Sequence, residues 1–179
     1  YREIDKLGGL DPYSSSKAAC EIAIHSWRES FYSSNQCQKT NFSIASARAG
    51  NVIGGGDWSE NRLIPDIFKA KQEKNSLYIR NPKAIRPWQH VLEPLSGYLV
   101  LAQHLYDDGE NYTGGWNFGP LDEDCKSVSW ILNEMVKLWG KNSKWKLDQD
   151  INPHEANFLK LDCSKAASKL NWLPKWRLK

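Results

Sequence analysis

Tyr13 and Lys17 are residue types at a spacing that could do chemistry. Four positions apart on a helix, their Cβ atoms would lie roughly 5–6 Å from each other on one face, so an ammonium can act on a phenol, or both on a common ligand. A neighbouring cation and the positive end of a helix both favour phenolate, the form that takes a proton as a general base. The same pair also occurs on helices that make no use of it, so its setting decides. Asp11 can serve as N-cap and Pro12 suits the first helical position, which predicts a helix from Pro12 to about Phe31 with Tyr13 in its first turn.

Further candidates lie along the chain. The stretch from Ala47 to Trp58 contains Gly50 and the run Gly54-Gly55-Gly56, too much glycine for regular structure. As a phosphate cradle it lacks the Lys-Ser/Thr ending and a helix opening directly after it. As the end of a strand it delivers Asn51 into a cleft, because ligands of open parallel sheets bind outside the carboxyl ends of the strands. Arg62, at the start of the next helix, can meet an anion or simply stand in solvent. Arg80, Lys83 and Arg86 lie in a proline-rigidified basic segment that runs to Val91, and an arginine fork binds phosphate bidentately.

Several elements must position these groups. Cys20, Ile24, Trp27 and Phe31 form an apolar stripe on the first helix, apart from the Tyr13 face. Asn41 to Ala47 reads as a short buried strand, Asn61 to about Lys71 as a helix with Pro65 in its first turn, and Leu77-Tyr78-Ile79 as a strand. Pro94 opens a helix through Tyr106 whose core face is Leu95, Tyr98, Leu99, Ala102 and Leu105. Trp116 to Phe118 reads as a strand ending in a turn. Ser127 caps a helix through Trp139 that carries Val128, Ile131, Leu132, Met135 and Leu138. Trp145 to Leu147 is a strand, Pro153 to Ala156 a turn, and Ser164 to Leu170 a last short helix.

The 179 residues suffice for one domain or one and a fraction, with nine Trp, seven Tyr and five Phe to fill a core. A net charge of +3, spread without runs, gives no support to nucleic acid or a membrane surface as partner. Cys20, Cys37, Cys125 and Cys163 lack metal-binding spacing and read as free thiols, so no metal is expected. No apolar run reaches membrane-spanning length, and a cytoplasmic protein is the expectation.

Tyr-x-x-x-Lys opening a helix after Asp11-Pro12 resembles the signature of the short-chain dehydrogenase/reductase superfamily. Leu7-Gly8-Gly9, Arg48 to Trp58, Arg62-Leu63-Ile64-Pro65-Asp66, Arg86-Pro87-Trp88-Gln89-His90-Val91, Asn117-Phe118-Gly119-Pro120 and His154-Glu155-Ala156 narrow the resemblance to its extended branch and, within it, to the CDP-glucose 4,6-dehydratases. The resemblance implies an α/β fold: the C-terminal part of a Rossmann-like doubly wound parallel sheet plus a small α/β substrate-binding domain. Residues 1–60 would belong to the former, strands from 80–120 would return to it, and 61–179 would be mostly the latter. It implies a lyase that uses NAD as an internal hydride carrier on CDP-glucose, working as a homo-oligomer at full length. Tyr13 would be the catalytic base and Lys17 the holder of the nicotinamide ribose. Asn51, Arg62, Arg86 and Asn117 match positions around the nucleotide diphosphate, and His154 and Glu155 a further substrate contact. No G-x-G-x-x-G fingerprint is present, so the chain reads as a C-terminal half that would not catalyse the reaction alone. The competing expectations are a sibling dehydratase or epimerase acting on another nucleotide sugar, and a non-catalytic sugar-nucleotide-binding module.

Overall fold

The computed structural model describes residues 1–32, 42–139, 145–150 and 156–179. Helix α1 runs Pro12–Phe31, as the sequence predicts, and begins in a capping box. The Ser14 N–H donates to Asp11 Oδ1 at 3.0 Å, and the Asp11 N–H donates to Ser14 Oγ at 3.4 Å. Strand β1 (Ala45–Ala49) follows. The Tyr32 ring lies 5.2 Å from that of Phe42, just ahead of β1. Further back on α1, the Glu21 carboxylate accepts from Ser46 Oγ at 2.9 Å and from Arg48 Nε and Nη2 at 2.8 and 2.7 Å. The helix therefore runs opposite to β1. At 1.5 Å rise per residue Tyr13 lies roughly 12 Å beyond Glu21, toward the carboxyl end of the strand.

Strand β1 pairs in parallel with β5 (Gly114–Phe118), in a register from Ala45 opposite Gly114 to Ala49 opposite Phe118. Alternation puts Ser46, Arg48 and Asn117 on the α1 side and Trp116 and Phe118 on the other. There they join Leu101 of α3 (Leu92–Tyr112), Ala166 and Leu170 of α5 (Ser164–Leu170), and Trp172 in one buried cluster. Helix α3 meets β5 through a glycine: a Cβ at Gly97 would sit 2.2 Å from the Phe118 ring.

After Gly50 the chain continues as β2 (Asn51–Ile53), which pairs in parallel with β4 (Ile85–His90); β4 in turn pairs antiparallel with β6 (Cys125–Ser127). A Cβ at Gly50 would lie 2.5 Å from Pro87 Cγ and 2.9 Å from its carbonyl oxygen, so only glycine allows this passage between partners. Strand β3 (Leu77–Ile79) pairs in parallel with β7 (Trp145–Leu147). Ile79, Ala84 and Trp88 pack with Ile67 of α2 (Leu63–Gln72) and with Val128, Ile131 and Leu132 of α4 (Val128–Trp139) in a second buried cluster. Ser127 Oγ accepts the Trp130 N–H at 3.2 Å, the cap expected of it. The Gln89 side chain bridges the two sheets, its Nε2 donating to the Phe118 carbonyl at 2.9 Å. Among the described residues no helix is long and apolar enough to cross a membrane.

Several expectations are corrected. Arg48 to Ile53 is regular strand apart from Gly50, while the basic segment that runs to Val91 ends in regular strand from Ile85 to His90. On α1 the stripe of Cys20, Trp27 and Phe31 faces solvent and only Ile24 is half-buried; the face toward β1 includes Ala18, Glu21 and Arg28, held by charge instead of apolar contact. On α3 the buried face is Pro94, Gly97 and Leu101 with Tyr98 and Leu105 half-buried, while Leu99 is 73% exposed. Ranking by bulk picks the wrong stripe because the close approach to Phe118 selects the smallest side. Leu138 on α4 is likewise exposed.

Two measurements test this packing. Gly97→Ala should lower stability by about 1–3 kcal/mol, since the new methyl has no room beside the fully buried Phe118 ring; an unchanged denaturation midpoint would refute the close approach. The Arg48 guanidinium beside Glu21 holds its carboxyl below the usual range. This contribution is full above the ordinary carboxylate pKa and fades as pH falls through the lowered one. The thermal midpoint of Glu21→Gln should therefore lie below that of the unsubstituted protein at neutral pH and converge with it in acid; equal midpoints at neutral pH would contradict the pairing.

Candidate active site

Tyr13 and Lys17 emerge from the first turns of α1 into solvent. Tyr13 is 69% exposed, Lys17 is exposed too, and the lysine Nζ lies 5.7 Å from the centre of the phenol ring. The loop before them is anchored by the Ser15 hydroxyl, which donates to the Gly9 carbonyl at 3.3 Å. The pair therefore stands side by side at the end of α1 that overhangs the carboxyl end of β1. Such an arrangement can move a proton and can offer an ammonium and a phenol to a hydroxyl-bearing ligand.

Asn51 and Arg86 lie on adjacent strands of the second sheet. The register sets Asn51 opposite Trp88, and Arg86 is two residues before Trp88 on β4, so all three side chains share a face. Arg86 is only 7% exposed, and its Nη1 donates to the Ile85 carbonyl at 3.0 Å. Arg62 stands exposed at the N-cap of α2 and makes no cap bond with its side chain. In the turn between β2 and α2, Asp57 accepts the Ser59 N–H at 3.0 Å, which lowers its carboxyl, and the Arg62 charge adds to the effect.

Asn117 is placed differently from these. It is 1% exposed on β5, and its Nδ2 donates to the main-chain carbonyls of Tyr1 at 3.1 Å and Asp162 at 3.2 Å. Its amide thus ties the first residues and the segment before α5 to the sheet. His154 and Glu155 lie outside the described residues. Sequence reasoning missed the Glu21–Arg48 pair and the Gln89 bridge to Phe118. Both are contacts between segments far apart in the chain, and no local spacing announces them.

The chain is 53% identical over 178 residues to a CDP-glucose 4,6-dehydratase of Salmonella typhimurium, covering 99% of this chain and 50% of that protein. It is 28% identical over 171 residues to a dTDP-glucose 4,6-dehydratase of Haemophilus influenzae, covering 91% of this chain and 47% of the relative. The chain thus spans about half the length of the curated relatives it matches. Among solved structures, a UDP-glucuronic acid 4-epimerase from Bacillus cereus, in complex with UDP-glucuronic acid and NAD, superposes with TM-score 0.78 at 20% identity, covering 96% of this chain and 50% of that one. A dTDP-glucose 4,6-dehydratase from Streptomyces venezuelae with NAD bound gives TM-score 0.79 at 15% identity over 99% of this chain and 50% of that one. At these identities the likeness speaks for the fold, the Rossmann-type α/β architecture that the sequence predicts. The sequence pattern described as GDP-mannose 4,6 dehydratase matches residues 1–179 throughout, and the chain belongs to that family.

Proposed function

We propose that the intact protein is a sugar-nucleotide lyase that removes water from CDP-glucose and yields CDP-4-dehydro-6-deoxyglucose. The observation that carries this reading is the exposed pair of Tyr13 and Lys17, side by side where α1 overhangs the carboxyl end of β1. The 53% identity to a CDP-glucose 4,6-dehydratase supports the choice of substrate.

The pair fits the ribose end of NAD, because an ammonium and a phenol that both reach solvent can hold a vicinal diol. When bound there, NAD supplies a hydride acceptor that also gives the hydride back. Tyr13 takes the proton of the glucose 4-hydroxyl on its phenolic oxygen, and Lys17 holds the ribose and stabilises the charge on the phenol. Once C4 is a carbonyl, the proton on C5 becomes acidic. Oxidation therefore precedes loss of water across C5 and C6. Asn51, Arg62 and Arg86 hold the diphosphate, the arginines through their planar forks, and this fixes the sugar against Tyr13. Asn117 shapes that end of the cleft through its hold on the main chain, and His154 and Glu155 add a contact to the substrate. The intact protein works as a homo-oligomer.

The test is an assay of the intact protein against CDP-, dTDP-, GDP- and UDP-glucose, with the keto-deoxy product as readout. CDP-glucose should be turned over in preference, and Tyr13→Phe should cut its rate about 10²–10⁴-fold while the fold and CDP-glucose binding survive. Preference for another nucleotide would reject the substrate, and near-normal turnover by Tyr13→Phe would reject the site.

A further inference from the structure

Lys126 is a cation that the mechanism leaves unused, and a role for it in binding rests on the reading of Arg86 as a residue that holds the substrate diphosphate. The second sheet runs in the order β2, β4, β6. In its antiparallel half Arg86 stands directly opposite Lys126, with Ile85 opposite Ser127 and Pro87 opposite Cys125 on either side. Residues paired in this way project from the same face, with Cβ atoms roughly 4.5–5.5 Å apart. In the parallel half Asn51 is opposite Trp88, two residues beyond Arg86, so Asn51 comes up on that face as well. One face of three adjacent strands therefore carries an amide, a guanidinium and an ammonium, with Arg86 on the middle strand.

The main chain at Lys126 is fixed, since its carbonyl accepts the Nε1–H of the buried Trp88 ring at 2.9 Å. The side chain is half-buried and reaches toward the first turn of α4, where its Nζ lies 5.7 Å from the centre of the Trp130 ring. Lys126 and Trp130 line a cavity of about 360 Å³ together with Arg177. The Arg177 guanidinium is already engaged there, by Asp124 and Glu123 at 2.7 Å each. The Lys126 ammonium has no carboxylate within ion-pair distance among the described residues.

Two like charges directly opposite each other across a strand pair repel, and an anion that touches both turns the repulsion into attraction. A diphosphate suits this pair, because it spreads its negative charge over two phosphoryl groups. A planar fork can grip one of them, and a compact ammonium with rotatable donors can reach the other. We propose that Lys126 is a further diphosphate-binding residue, its ammonium donating to the phosphoryl group next to the one that Arg86 holds.

The experiment measures the dissociation constant of CDP for the intact protein, for Lys126→Gln and for Lys126→Arg, with thermal midpoints recorded alongside. Lys126→Gln should weaken CDP by about 10- to 100-fold, the scale of a hydrogen bond to a charged group. It should also flatten the dependence of binding on salt, since one cation fewer faces the anion. Lys126→Arg keeps the charge and should keep most of the affinity. Both midpoints should stay near that of the unsubstituted protein, because Lys126 belongs to neither buried cluster. Unchanged CDP binding in Lys126→Gln, equal weakening in both variants, or loss of the fold in Lys126→Gln would each overturn the proposal and leave the nucleotide-sugar reading standing. Failure of the unsubstituted protein to bind CDP would overturn both.

Discussion

The Glu21 carboxylate, held on two edges by Arg48 and on one by the Ser46 hydroxyl, fixes where α1 lies on β1. Helices on parallel sheets usually dock through an apolar stripe. Here the inward positions of α1 are mixed and only half-buried, and its large apolar residues Trp27 and Phe31 face outward. A bidentate charge-assisted contact in a partly screened site is directional in a way that apolar contact is not. It sets the rotation of the helix about its axis as well as its height along the strand. Tyr13 and Lys17, two and one turns earlier, inherit both settings, and the capping box of Asp11 and Ser14 keeps those turns helical up to the tyrosine.

A second constraint operates where β1 gives way to β2. One nearly continuous strand pairs first with β5 and then with β4, and the change of partner brings Gly50 against the Pro87 backbone. No other residue fits there without moving β4. The passage brings Asn51 onto the face shared with Arg86, and Gln89 secures it by donating to the Phe118 carbonyl. The Oε1 of Gln89 is buried and has no hydrogen-bond partner among the described residues, a polar atom left over at the seam between the sheets. The Tyr13–Lys17 pair and the Asn51–Arg86 face are thus set by two independent devices, a charged contact for α1 and a glycine passage for β2.

Much of this was legible locally. The capped start of α1, strands β3 and β7, and α5 were readable because caps, alternation and apolar period act within a few residues. That Tyr13 and Lys17 stand side by side on α1 was readable for the same reason. The errors came where another segment decides. The glycines between Arg48 and Trp58 suggested irregular chain, yet the pairing with β4 keeps Asn51 to Ile53 extended. Leu99 outranked Gly97 by hydrophobicity, but the ring of Phe118 demands the small residue. Asn117 is likewise held from afar, its amide engaged by carbonyls of Tyr1 and Asp162, more than 40 positions away in either direction. Side-chain spacing carries no information about such contacts.

The central claim is that oxidation at C4, loss of water and reduction at C6 occur in one site, with the hydride held between steps. The most direct measurement traces deuterium placed on glucose C4 of CDP-glucose through turnover by the intact protein. The account predicts that the label appears at C6 of the keto-deoxy product and that the hydrogen at C5 comes from solvent. Label lost to water, or released on free reduced nicotinamide, would contradict it.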